Sequence, residues 1–171
     1  GYYGKYPSQL VDVNGVLYFT AQPGYFFREL WRSDGTAAGT YRISAPSAPS
    51  PTRLTNVDGT LSFIRNDNEL WKSDGTEAGT AFVPRPSESS IGYLINANGV
   101  LYFTAGEYLP GYGTRPSLWK TDGTTQGTRR IKETSLGVAS AFFTTYATMG
   151  ESLYFAAEDP ANGGQQLWKT D

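Results

Sequence analysis

The sequence predicts an all-β fold, a four-bladed β-propeller built from four-stranded antiparallel blades, and three observations predict it. Aromatic residues make up 15% of the 171 residues and are joined by 20 Gly and 10 Pro, a mixture that favours short strands and many tight turns over helices. A strand pattern recurs as Leu17-Tyr18-Phe19, Leu61-Ser62-Phe63, Leu101-Tyr102-Phe103 and Leu153-Tyr154-Phe155. Each copy is followed by a Leu-Trp pair, at Leu30-Trp31, Leu70-Trp71, Leu118-Trp119 and Leu167-Trp168, so the tryptophans recur after 40, 48 and 49 residues, a spacing typical of propeller blades or solenoid units.

The first unit, 8–44, reads as strands at 8–13, 16–21, 29–33 and 40–44. Asn14-Gly15 supplies the positive-φ pair that a two-residue hairpin requires. Arg32-Ser33-Asp34-Gly35-Thr36, closed by Gly39-Thr40, turns the third strand into the fourth. The second unit, 52–83, repeats this with Asp58-Gly59, Lys72-Ser73-Asp74-Gly75-Thr76 and Gly79-Thr80. In the third, 91–132, the same places hold Asn98-Gly99, Lys120-Thr121-Asp122-Gly123-Thr124 and Gly127-Thr128. The fourth, 142–171, departs: Met149-Gly150-Glu151-Ser152 has one more residue between Gly and Leu, which predicts a longer loop or a bulge. It reaches Asp171 without a fourth strand, while Gly4-Lys5-Tyr6 matches Gly39-Thr40-Tyr41. Residues 1–7 are therefore expected as the outer strand of the last blade, beside 166–169. That pairing closes the ring, removes exposed sheet edges and makes 1–171 a single domain.

Such units cannot bury both of their apolar faces alone and must stack. Trp31, Trp71, Trp119 and Trp168, one per unit, are the expected inter-blade fillers. In the Asp-Gly-Thr turns, Asp and Thr side chains can bond nearby amides and hold the loop. Calcium is the alternative for Asp34, Asp74, Asp122 and Asp171, but one carboxylate per turn falls short of the roughly six to eight oxygens the ion takes, so no cofactor is expected.

The segments Glu29-Leu30-Trp31-Arg32-Ser33-Asp34-Gly35-Thr36 and Glu69-Leu70-Trp71-Lys72-Ser73-Asp74-Gly75-Thr76 resemble the signature of the bacterial ELWxxDGT repeat family. The third copy has Ser117 in place of Glu, and the fourth has Gln166 and reaches only the Asp. The resemblance implies a module of large secreted or surface-attached bacterial proteins, and so a secreted or cell-surface location; it implies no particular activity. The same turns also resemble the aspartate-box hairpins of sialidase-type propellers, where the box is a folding device.

Several function classes are excluded on composition. A net charge of −2 gives no basic surface for nucleic acid, and no apolar run approaches the roughly 18 residues of a membrane span. Cys and His are both absent, which removes disulfides, Cys/His metal sites and His-dependent acid–base schemes. Glu29 and Glu69 could form a glycosidase-like carboxylate pair, but their place beside Trp in a repeated motif argues for a structural role, and Glu107, Glu158 and Asp159 fall in unrelated loops. The chain is expected not to be an enzyme.

The copies differ most at 22–27, 66–68, 106–116 and 158–165 and at the connections 45–52, 84–92 and 133–141, which a meander places on one side. Function on a scaffold usually resides in such loops. Tyr25, Phe26 and Phe27 in the first, with Tyr108, Tyr112 and Arg115 in the third, offer aromatic and cationic groups suited to a sugar ring or a protein surface. The expected function is a non-catalytic extracellular binding or adhesion module with a glycan or surface protein as partner. The alternative is a structural unit of a larger repeat protein, held by self-association.

Overall fold

A computed structural model of the chain describes residues 5–22, 24, 27–43, 50–85, 90–109, 113–131, 145–158 and 164–170. The all-β class is as expected: every regular element among these residues is a strand, and the strands form antiparallel meanders of the propeller-blade type. The chain divides into two compact units, Gly1–Val83 and Pro84–Asp171.

In the first unit, β1 (Lys5–Val13), β2 (Val16–Gln22), β3 (Glu29–Ser33) and β4 (Tyr41–Arg42) make one sheet in chain order. A second follows with β5 (Thr52–Val57), β6 (Thr60–Arg65), β7 (Glu69–Ser73) and β8 (Ala81–Phe82). The second unit holds β9 (Ile91–Ala97), β10 (Val100–Leu109), β11 (Gly113–Thr121) and β12 (Arg129–Arg130), then a sheet of β13 (Tyr146–Met149), β14 (Ser152–Glu158) and β15 (Gln165–Lys169).

The register is the same in every sheet. Phe19 lies opposite Trp31, Phe63 opposite Trp71, Phe103 opposite Trp119 and Phe155 opposite Trp168. Because side chains alternate across a strand, each sheet has a Phe/Trp face and an opposite face carrying the Leu before each Trp. Within the first unit, Tyr18 and Leu30 of the first sheet pack with Leu61, Phe63 and Trp71 of the second, extended by Val13, Ile43 and Leu54. In the second unit, Tyr102 and Leu118 of the third sheet meet Leu153, Phe155 and Trp168 of the fourth in the same way.

The hairpin turns follow their sequences. Asn14-Gly15, Asp58-Gly59 and Asn98-Gly99 have positive φ at both positions, as a type I′ turn requires. The fourth turn is neither longer nor bulged: Met149 pairs with Ser152 across Gly150-Glu151. Gly150 now occupies the first central position at φ 59° while Glu151 has no positive φ, which is the II′ pattern. The extra residue thus moved the glycine by one place and kept the loop length.

Bulges appear where the sequence reading expected none. β1 shifts register between Lys5 and Ser8 and again between Ser8 and Val11, with Tyr6 and Gln9 at positive φ, and β5 shifts between Thr52 and Thr55 around Arg53. Each inserts a residue and adds local twist.

Two further expectations are corrected. Lys5 pairs with Gln22, so Lys5 and Tyr6 continue the first strand of the first sheet, and the fourth sheet has three strands among the described residues; residues 1–4 of the expected closing strand lie outside them. Residues 8–13 reach only as far as Thr20 of β2, because the second bulge takes one of them, and the strand continues back to Lys5 to reach Gln22. Residues 106–116 are not one loop. β10 and β11 pair continuously out to Leu109 opposite Gly113, so Glu107, Tyr108 and Arg115 stand on strands. Pro116 is tolerated there because, among the described residues, β12 pairs with β11 only at Trp119 and Lys120, so no ladder bond is asked of the proline on that edge. Glu158 likewise ends β14, and Asp159 lies outside the described residues.

Candidate binding site

The Asp-Gly-Thr turns are self-contained. Asp34 Oδ1 accepts the Thr36 amide at 2.9 Å and the Thr36 hydroxyl at 2.7 Å. The Gly39 amide then donates to Thr36 Oγ1 at 2.9 Å. The Asp74 and Asp122 turns repeat this network. Hydrogen bonds from Thr36, its hydroxyl first, hold the Asp34 carboxyl below the ordinary range. For Asp74 the Thr76 amide is the leading cause. These carboxylates are committed to their own loops, and no group of three His, Cys, Asp or Glu able to hold a metal exists among the described residues. Asp171 lies outside those residues.

The carboxylates beside Trp are engaged differently. Glu29 Oε1 takes the Arg42 guanidinium at 2.9 Å, and Glu69 Oε2 accepts Trp71 Nε1 at 3.0 Å. Arg65 lies over the Trp71 ring, 4.2 Å from its centroid. Burial lowers its pKa, with Glu69 opposing.

The tryptophans occupy one repeat position with unlike neighbours. Trp31 and Trp119 stack on Phe19 and Phe103 at 6.3 and 6.1 Å, and Trp71 meets Phe82 edge-on at 6.1 Å. Trp71 and Trp168 also pack against the inter-sheet clusters.

Of the loop residues expected to bind, Phe27 is described and lies 59% exposed between β2 and β3. Its neighbour Arg28 is pinned. Arg28 Nη1 donates to the Tyr6 carbonyl at 2.8 Å and to Ser8 Oγ at 2.7 Å. The Ser50 amide donates to the Arg28 carbonyl at 3.1 Å, and the Arg28 amide returns a bond to Ser50 Oγ at 3.3 Å. The first bulge of β1 turns the Tyr6 carbonyl towards that guanidinium and leaves the Tyr6 ring 70% exposed. Phe27 and Tyr6 are thus two exposed aromatics set on one cationic anchor. Tyr6, Arg28 and Ser8 escaped the sequence reading, because a bulge that aims a carbonyl leaves no residue pattern. Tyr25, Phe26 and Tyr112 lie outside the described residues, and Tyr108 and Arg115 belong to the β10–β11 hairpin.

No protein-family model matches the chain, and no curated protein matches it. Among solved structures it is similar to an alpha-L-arabinofuranosidase from Clostridium thermocellum, at 15% identity and a TM-score of 0.37, covering 91% of this chain and 61% of that one. It is similar to an endo-1,4-beta-xylanase from Bacteroides thetaiotaomicron at 16% identity and a TM-score of 0.43, covering 99% and 72%. A third likeness is to the tricorn protease, at 20% identity and a TM-score of 0.43, covering 92% of this chain and 16% of that chain. These solved structures are those of enzymes, which runs against the expectation that the chain is not one. The likeness is one of fold, and neither an activity nor an active-site residue passes to this chain with it.

Proposed function

We propose that the chain is a binding module of the ELWxxDGT repeat type, working in a secreted or surface-attached protein, whose β2–β3 side takes a glycan. The observation that supports this reading most is the exposed pair Phe27 and Tyr6 held on Arg28. A large apolar ring kept open to water on a fixed backbone is the element that stacks on a sugar face. The Arg28 anchor lowers the ordering cost of binding, because its hydrogen bonds fix the backbone next to Phe27 before a ligand arrives.

A glycan array probed with the wild-type protein and with Phe27→Ala tests it. Wild type is expected to bind a discrete set of glycans saturably, and Phe27→Ala to lose at least about tenfold in affinity, equivalent to about 1.4 kcal/mol, with an unchanged melting temperature. Absence of glycan binding by the wild type, or equal binding by the variant, refutes the reading.

A further inference from the structure

We infer that the glycan taken on the β2–β3 side is an acidic one, its sugar carboxylate docking side-on against Nε and Nη2 of Arg28 beside the exposed rings of Phe27 and Tyr6. This deepens the glycan reading and rests on it.

Arg28 is a cation held in place without being neutralised. Its side-chain bonds all run through one atom: Nη1 donates to the Tyr6 carbonyl at 2.8 Å, to Ser8 Oγ at 2.7 Å and to Thr20 Oγ1 at 3.5 Å. All three acceptors are uncharged, and no carboxylate among the described residues forms an ion pair with Arg28. Glu29, the nearest carboxylate in sequence, is engaged by Arg42 at 2.9 Å. At the same end of the second sheet Glu69 accepts Trp71 Nε1, and Asp67 belongs to the β6–β7 turn. The other acids of the first unit gather at the opposite strand ends, with Asp12, Asp34, Asp58 and Asp74 in or beside the turns there. Exposed Arg53, three residues beyond the Ser50 that bonds the Arg28 backbone, adds positive charge at the start of β5. The cation is particular to the first copy, since the residue before the matching strand is Asn68, Pro116 or Gln165 in the others.

The shape of the guanidinium decides the ligand class. With Nη1 spent, the Nε and Nη2 hydrogens remain as a parallel pair on one edge of a planar group, and no described residue bonds to them. That edge matches the two oxygens of a carboxylate, which a neutral sugar lacks. Phe27 and Tyr6, both exposed, offer the apolar surface on which a sugar ring stacks. A uronic acid carries its carboxylate directly on the ring, so a single residue meets both the stacking surface and the fork.

Affinities of uronic-acid oligosaccharides, their methyl esters and the corresponding neutral oligosaccharides test this on the intact chain. The acids are expected to bind wild type at least about tenfold more tightly than their esters, the effect of one charge-assisted contact. Arg28→Gln is expected to bring acid and ester to equal affinity. That ratio is the readout because a loosened Phe27 backbone would weaken both ligands alike. Should Arg28→Gln fail to fold, Arg28→Lys, which keeps a charge without the fork, is expected to lose most of the preference. Neutral glycans or esters bound as tightly as the acids overturn the inference and leave the glycan reading standing, as does a preference for acids that survives both variants. A wild type that binds no glycan of any kind removes both.

Discussion

At Gly39, Gly79 and Gly127 a Cβ would run into the carboxylate of the Asp five residues earlier, which is why the second Gly-Thr pair of each turn is bound to its Asp-Gly-Thr. Gly79→Ala is expected to lower stability in urea denaturation by about 1–3 kcal/mol. Adding Asp74→Ala should recover part of that loss, because the two changes share one space; strict additivity would show that the collision is not the cause. The same carboxylates set a pH dependence. Asp34 and Asp74 have depressed values in the fold, so their contribution is present above the ordinary Asp value of about 3.9 and is lost as pH falls through the folded values. Thr76→Val removes one hydroxyl bond to Asp74 and should flatten the acid loss seen in denaturation midpoints taken between about pH 5 and pH 2. A profile unchanged by that variant would detach the turn from acid stability.

Strands were the most legible elements, since the Leu-aromatic pattern, the paired turn residues and the Trp position each locate a strand independently. What escaped the sequence was decided by backbone geometry. A glycine shifted by one place reads as an inserted residue, yet a II′ turn absorbs it without lengthening, as Gly150 shows. Gly106 and Pro116 suggest a loop, yet they face each other within the continuous β10–β11 pairing. The repeat also makes a comparison at constant chemistry available. Leu118→Ala should cost about 2–5 kcal/mol, as buried leucines do, while Leu167→Ala at the same repeat position should cost little in dilute solution. Trp71→Ala, which empties the first unit's core beside Phe63, should cost about 3–5 kcal/mol. Equal losses at Leu118 and Leu167 would mean that the fourth sheet is covered in solution.

Over the whole molecule, repetition told the sequence reader how many sheets to expect but not which faces meet. Leu17 and Leu167 carry the same letter as their buried counterparts, and only their surroundings separate them. The candidate site was half legible for the same reason: Phe27 stands out as an aromatic in a variable loop, whereas Tyr6 enters through a bulge and Arg28 through bonds to backbone. The balance of forces does follow from composition. Only 18% of residues are charged, the Arg42–Glu29 ion pair is half exposed, and both core clusters are apolar. Exposed ion pairs of that kind contribute about 0–1 kcal/mol and are screened by salt. Moderate sodium chloride should therefore leave the melting temperature nearly unchanged, while sulfate, which is excluded from protein surface and strengthens apolar burial, should raise it. A melting temperature that falls steeply with sodium chloride would assign the stability to charge pairs instead, and with it would go the case that stacked Phe, Trp and Leu faces hold these sheets together.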